Sequence, residues 1–213
     1  MKPTKAPNDD MPRDQPAVSL VRLVAPSPEE TPLAPSGPAP AGLRSEPSLE
    51  ATLDLDGLFR RYAPYVAAIA HRLLGRDEEV DDTIQEVFVA AVRGVHAVRD
   101  PAAIRGWLAR VTVRVARQRL RKRRLRVFLG LDEPVVYDSV VDQSASAEQR
   151  TLLARVYGIL DRLPPNERIA WSLRHIEGEP LENVASLAGC SLATAKRRIS
   201  AAAQKIEEAF ADV

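Results

Sequence analysis

Cysteine is almost absent from this sequence: Cys190 stands alone among 213 residues, which excludes an internal disulfide and any metal site built from several thiolates. The three histidines, His71, His96 and His175, are scattered without ligand spacing, so neither a metal nor another cofactor is expected. Aromatic residues make up only 5% of the chain, and a core must be assembled from Leu, Val, Ile and Ala, as helical bundles can be. No stretch approaches the roughly 18 consecutive apolar residues of a membrane helix, and no basic segment followed by an apolar core opens the chain. The sequence therefore predicts a cytoplasmic protein with no membrane partner. Net charge is also nearly absent, at +1 from 30 Lys+Arg and 29 Asp+Glu.

That small sum hides an uneven distribution. Residues 99–126 carry 11 basic and 1 acidic side chain, a charge of +10, whereas residues 54–98 sum to −3 and residues 127–150 to −4. A polyanion would meet one concentrated strip. Eleven of the 17 prolines precede residue 48, where Pro, Ala, Ser and acidic residues alternate without apolar periodicity. Such a segment cannot bury enough surface to offset its ordering entropy, and residues 1–53 are expected to be a disordered Pro/Ala-rich tail.

From residue 54 the pattern becomes helical. Leu58, Tyr62, Val66, Ile69, Leu73 and Leu74 recur at steps of three and four, and Gly75 marks the stop. Asp77, Glu78 and Glu79 then place acids on the first turn of a second helix, whose stripe of Val80, Ile84, Val87, Phe88 and Ala91 runs to about Gly94. A loop from His96 to Pro101 leads to a third helix starting near Ala102. It carries Ile104, Trp107, Leu108, Val111, Val115 and Leu120 inward; Arg105, Arg110, Arg114, Arg117, Arg121 and the run Lys122, Arg123, Arg124 face outward. Residues 127–146 lose the period and hold acids such as Asp132, Glu133, Asp138 and Asp142, the composition of a flexible linker.

Residues 147–213 read as a second helical domain. An amphipathic helix from Ala147 is stopped by Pro164 and Pro165, Asn166 caps the next, and a compact pair follows Pro180. In that pair Ala185 suits close helix approach and Gly189 a turn with an unusual backbone angle; Ser191 caps a helix reaching about Phe210. This is the form of a helix-turn-helix. Lys196, Arg197 and Arg198 near the start of the last helix can reach a major groove and its phosphates. The basic third helix repels itself and is best held against phosphates, where each neutralised charge releases counterions. Trp107 is its only aromatic, so stacking along a single strand is not supported.

Taken together, these strings resemble regions 2 and 4 of the extracytoplasmic-function (ECF) group of bacterial RNA polymerase sigma factors. Val80-Asp81-Asp82-Thr83-Ile84-Gln85-Glu86-Val87-Phe88 is similar to the family's A-E-D-L-V-Q-E-V-F, and Ile104-Arg105-Gly106-Trp107-Leu108 to its F-R-T-W-L. Leu163 to Arg168 resembles its L-P-x-x-x-R, and Leu192 to Ile199 its V-G-T-V-K-S-R-L. The chain departs from the family at Ala201-Ala202-Ala203, where cations close the recognition helix, at Val92, where a Trp stands, and at Arg114 and Gln118, which replace Asn and Asp.

The resemblance implies an all-α protein of two small helical domains, 54–126 and 147–213, joined by the 127–146 linker. It implies that Asp81, Asp82, Gln85 and Glu86 contact the clamp helices of core RNA polymerase. The loop with His96 and Arg99 would capture an unstacked base of the promoter −10 element, with Arg105, Arg110, Arg114 and Arg117 on the strand backbone. Ser191, Thr194, Lys196, Arg197 and Arg198 would read the −35 element as duplex. Promoter DNA and core polymerase are thus the expected partners, an anti-sigma factor is left open, and no catalysis is asked of the chain. The alternative is a sigma-like helix-turn-helix regulator that does not programme polymerase. A metal-dependent nuclease built on Asp77 to Asp82 is disfavoured, because consecutive acids diverge around a helix.

Overall fold

The computed structural model describes residues 55–95, 98, 100–131 and 146–211. The expected tail, residues 132–145 of the expected linker, His96 and Arg99 lie outside the described residues. Among the described residues every regular element is helical: α1 (Leu55–Leu74), α2 (Asp77–Gly94), a 3₁₀ turn (Pro101–Ala103), α3 (Ile104–Phe128), α4 (Ala147–Arg162), α5 (Pro165–His175), α6 (Leu181–Ala188) and α7 (Leu192–Ala211). None is long and apolar enough to cross a membrane.

The helix ends follow from local chemistry. Pro64 lies inside α1 but on its exposed side, where water can meet the carbonyl its ring leaves unpaired. α1 stops because Gly75 turns to φ +69 while its N–H donates to the His71 carbonyl at 2.8 Å. A Cβ at Gly75 would also lie 2.3 Å from Cδ1 of Tyr157, so space as well as backbone demands glycine there. No side chain caps α2, and the acids of its first turn face the positive end of the helix instead.

The Asp100 carboxylate accepts from the Ala102 N–H at 2.9 Å and starts the turn into α3. α3 then continues two residues past the expected boundary at 126, since no breaker precedes Gly130. Ser146 and Gln149 form a reciprocal capping box on α4. At α5 the expectation fails: Pro165 takes the first helical position, where its missing N–H costs nothing, so Asn166 lies inside the helix and does not cap it. The α6–α7 turn is as anticipated, with Gly189 at φ +60 and the Thr194 N–H donating to Ser191 Oγ at 3.2 Å.

Two apolar clusters hold these helices. The first is internal to α1–α3 and contains Leu58, Val66, Val87, Phe88, Leu108 and Val111. The second is continuous across both helical sets. Ile69 and Leu73 of α1, Val113 and Leu120 of α3, Leu160 of α4, Trp171 of α5, Val184 of α6 and Ile199 of α7 all belong to it. α1 and α3 therefore bury one flank against the C-terminal helices as well as one against α2.

Candidate nucleic-acid interface

On α2 the residues Asp81, Asp82, Gln85 and Glu86 are all exposed and fall at steps of one, three and one, so they make one acidic stripe. Arg119 of α3 reaches across to this stripe, with Nη1 3.2 Å from Asp82 and Nη2 2.6 Å from Glu86. Half of the stripe is therefore positioned by α3, while Asp81 and Gln85 carry none of the Arg119 bonds. Val89 and Val92 extend the stripe as exposed apolar surface.

Apart from Arg119, bonded to the acidic stripe, and Arg123, the cations of α3 fall into three environments. Arg114, Arg121, Lys122 and Arg124 are exposed along the strip. Arg105 is half-buried over the Tyr65 ring, 4.4 Å from its centroid, and burial pushes that phenol up to about 12. Arg110 and Arg117 are engaged with the C-terminal helices: Arg110 donates to Ser186 Oγ at 3.1 Å and Arg117 to the Ala188 carbonyl at 2.6 Å. Burial, then the nearby cations Arg121 and Arg198, lower the pKa of Arg117.

Arg123 overturns the outward placement read from the basic run. It is 6% exposed and donates to Glu79 Oε2 at 2.6 Å, to Asp161 Oδ1 at 2.7 Å and to the Leu74 carbonyl at 3.3 Å. Arg168 of α5 joins it, bonded to Asp161 and to the Leu73 and Leu74 carbonyls at 3.0 and 2.8 Å. Arg76 approaches Asp161 Oδ2 at 3.3 Å. Two guanidiniums thus cap the C-terminal carbonyls of α1, where the helix leaves acceptors and negative potential. Burial pushes the Asp161 carboxyl upward, but Arg168, Arg123 and Arg76 outweigh it and hold it below its usual value. Arg168 belongs to a string already singled out; its role here is structural. The remaining members had no sequence signal, because their partners lie many residues away.

On α7, Lys196 and Arg197 are exposed and Arg198 is half-buried towards α3. Ser191 Oγ is occupied as helix cap and lies 2.9 Å from Thr194 Oγ1, so both hydroxyls already have partners. Of the three closing alanines, Ala202 and Ala203 are buried, which explains why long cations are absent there. Among the described residues no group of His, Cys, Asp or Glu could hold a metal.

Residues 58–126 match the family description "Sigma-70 region 2" and residues 153–206 match "Sigma-70, region 4", together more than half of the chain. The chain belongs to the sigma-70 family of RNA polymerase sigma factors. Several of its relatives carry the name of the ECF group. SigE of Mycolicibacterium smegmatis, an ECF RNA polymerase sigma factor, is 32% identical over 160 residues, covering 73% of this chain and 61% of that protein. SigM of Mycobacterium tuberculosis, another, is 29% identical over 151 residues, covering 71% and 74%. The sigma factor RpoE of Bartonella quintana, solved in complex with the anti-sigma factor NepR, shares the fold with a TM-score of 0.55. That likeness holds at 20% identity over 74% of this chain and 96% of the other. In this sigma-70 chain the acidic stripe and the basic helix both lie in region 2, and the helix-turn-helix lies in region 4.

Proposed function

We propose that this chain binds core RNA polymerase and directs promoter-specific transcription initiation, and takes no catalytic part itself. The observation that carries the reading is the exposed stripe of Asp81, Asp82, Gln85 and Glu86 set beside a strongly basic helix within the region 2 match. The stripe suits the basic side chains of a polymerase clamp, and Gln85 suits its polar groups. Residues 54–126, with α3 running on to Phe128, form the unit for polymerase and the −10 element; residues 147–213 form the unit for the −35 element. Residues 127–146 join the two and residues 1–53 precede them. His96, Arg99, Arg105, Arg110, Arg114 and Arg117 serve the −10 strand. Lys196, Arg197 and Arg198 serve the −35 duplex, with Ser191 and Thr194 holding the start of α7. Such a protein acts in the cytoplasm, where polymerase and promoter meet. An anti-sigma partner is proposed on the pattern of the Bartonella complex.

The test is run-off transcription with core polymerase on genomic fragments, followed by mapping of the start sites. Discrete starts that depend on the chain are expected. Replacing both Asp81 and Asp82 by Arg should weaken core binding on the order of tenfold or more, because like charges then meet across the interface. Unchanged affinity of the folded double variant would overturn the assignment.

A further inference from the structure

We propose that the apolar end of α3 is covered, in the full chain, by residues 18–24 of the N-terminal tail, with the acids on either side of that segment lying against the cations around the helix end. Residues 18–24 lie outside the described residues, and their docking goes beyond the promoter role without resting on it.

Leu125, Val127, Phe128, Leu129 and Leu131 are all more than half exposed, Phe128 at 85%. Apolar side chains gathered in this way, and rimmed by charge, mark a surface that another segment covers. The helix end holds them in place. Gly130 turns to φ +67, its N–H donates to the Val127 carbonyl at 3.0 Å, and the Leu131 N–H donates to the Arg126 carbonyl at 2.9 Å. At Val127 a cavity of about 160 Å³ opens, lined by the buried Leu120, Leu160 and Leu163 and by the exposed Arg124 and Arg162. Arg123 and Arg168 on its wall are already bonded to Asp161, so an occupant meets apolar surface with room for roughly one leucine side chain.

Charge and reach identify the occupant. Arg121, Lys122, Arg124, Arg126 and Arg162 are exposed around the apolar end, so a second copy of this chain would bring like charges face to face. Residues 18–24 hold Val18, Leu20, Val21, Leu23 and Val24 with no acid among them, and Asp9, Asp10, Asp14, Glu29 and Glu30 flank them. With Arg13 and Arg22 as the only cations, residues 9–30 carry 5 acidic and 2 basic side chains, a charge of −3. Residues 132–145 are acidic too, but Asp138 and Asp142 break up their apolar residues and no leucine is among them to fill the cavity. The distance is also right. Arg123, little more than a turn before Phe128, bonds the Leu74 carbonyl at the end of α1, so the path from the start of α1 is about the length of that 20-residue helix, roughly 30 Å. The 30 residues from 25 to 54 have an r.m.s. span of roughly 30 Å, somewhat more with their prolines, which puts the effective concentration of the segment near its maximum.

The experiment uses the full chain without polymerase and the photocrosslinker p-benzoylphenylalanine in place of Phe128, whose exposure lets a larger ring enter without disturbing the core. After irradiation and digestion, mass spectrometry maps the joined peptides. The main product should link position 128 to residues 18–24 within one chain. Leu20→Asp/Leu23→Asp should cut the yield of that product by about fivefold or more, because carboxylates then face apolar surface. Arg124→Glu/Arg162→Glu should cut it by about twofold or more, because attraction to the flanking acids becomes repulsion. The same crosslinker in place of Val92, an exposed apolar site on α2, should give little of a product with residues 18–24. Linkage of position 128 to residues 132–145, to a second copy or to nothing would overturn the proposal. Equal labelling of residues 18–24 from positions 128 and 92 would do the same, as would an undiminished yield in the Leu20/Leu23 variant. With polymerase and promoter absent, none of these results depends on the functional reading.

Discussion

Arg168 is 1% exposed, and its guanidinium meets one carboxylate and two carbonyls with little water to take their place. Removing one member of such a group leaves the others buried and unpaired, which typically costs about 3–5 kcal/mol. Arg168→Ala should therefore lower stability by that order in chemical denaturation, whereas Arg114→Ala, on the exposed strip, should stay within about 0.5 kcal/mol. Asp161 gives the same cluster a pH dependence. Its carboxyl is held below its ordinary value, so the ionised form is favoured by folding. The stability this contributes is complete above the unfolded carboxylate pKa of about 3.9 and is lost as pH falls through the lower folded value. Asp161→Asn should be less stable than wild type by a constant amount from neutral pH to about 5. The gap should narrow below pH 4; a gap independent of pH into strong acid would show that the charge of Asp161 does not matter.

At the scale of elements, α3 shows what a sequence can and cannot carry. Its buried face was legible, because Ile104, Leu108, Val111, Val115 and Leu120 keep a helical step and all prove buried. α2 was equally plain from its acidic first turn to Gly94, and Gly189 and Ser191 announced the turn between α6 and α7 through the chemistry of their own positions. Arg123 was not legible. Within a run of cations it looks like solvated surface, and what buries it is Asp161, 38 residues further on, together with a helix end 49 residues back. Arg119 likewise hides in that run although it orients Asp82 and Glu86. The distinction between α3 and α7 as DNA-binding elements can be measured. Arg114→Ala should weaken binding to all sequences alike and reduce the salt slope by about one unit. Arg197→Ala should cost about 1–3 kcal/mol of discrimination at the upstream duplex element while leaving most of the salt dependence. Equal and uniform losses in both variants would remove the division of labour between the two helices.

For the whole molecule, the expectation of two helical units on a linker and the finding of one apolar cluster running through both lead to a thermodynamic consequence. Independent units joined by a linker would melt separately, each with an enthalpy set by its own length. Here Tyr157 of α4 packs over Gly75, Leu73 and Leu74 share a cluster with Trp171 and Ile199, and Arg72 is paired with Glu177, so unfolding either set exposes the buried flank of the other. The free chain should therefore show one calorimetric transition, with a van't Hoff enthalpy equal to the calorimetric one. At about 0.7 kcal/mol per residue, the roughly 140 described residues imply an enthalpy on the order of 100 kcal/mol near 60 °C. If the buried Arg72–Glu177 pair supplies the coupling, the Arg72→Gln/Glu177→Gln variant should split that transition, with each component carrying about half the enthalpy. Two resolved transitions in the wild-type chain would mean that the two sets fold independently.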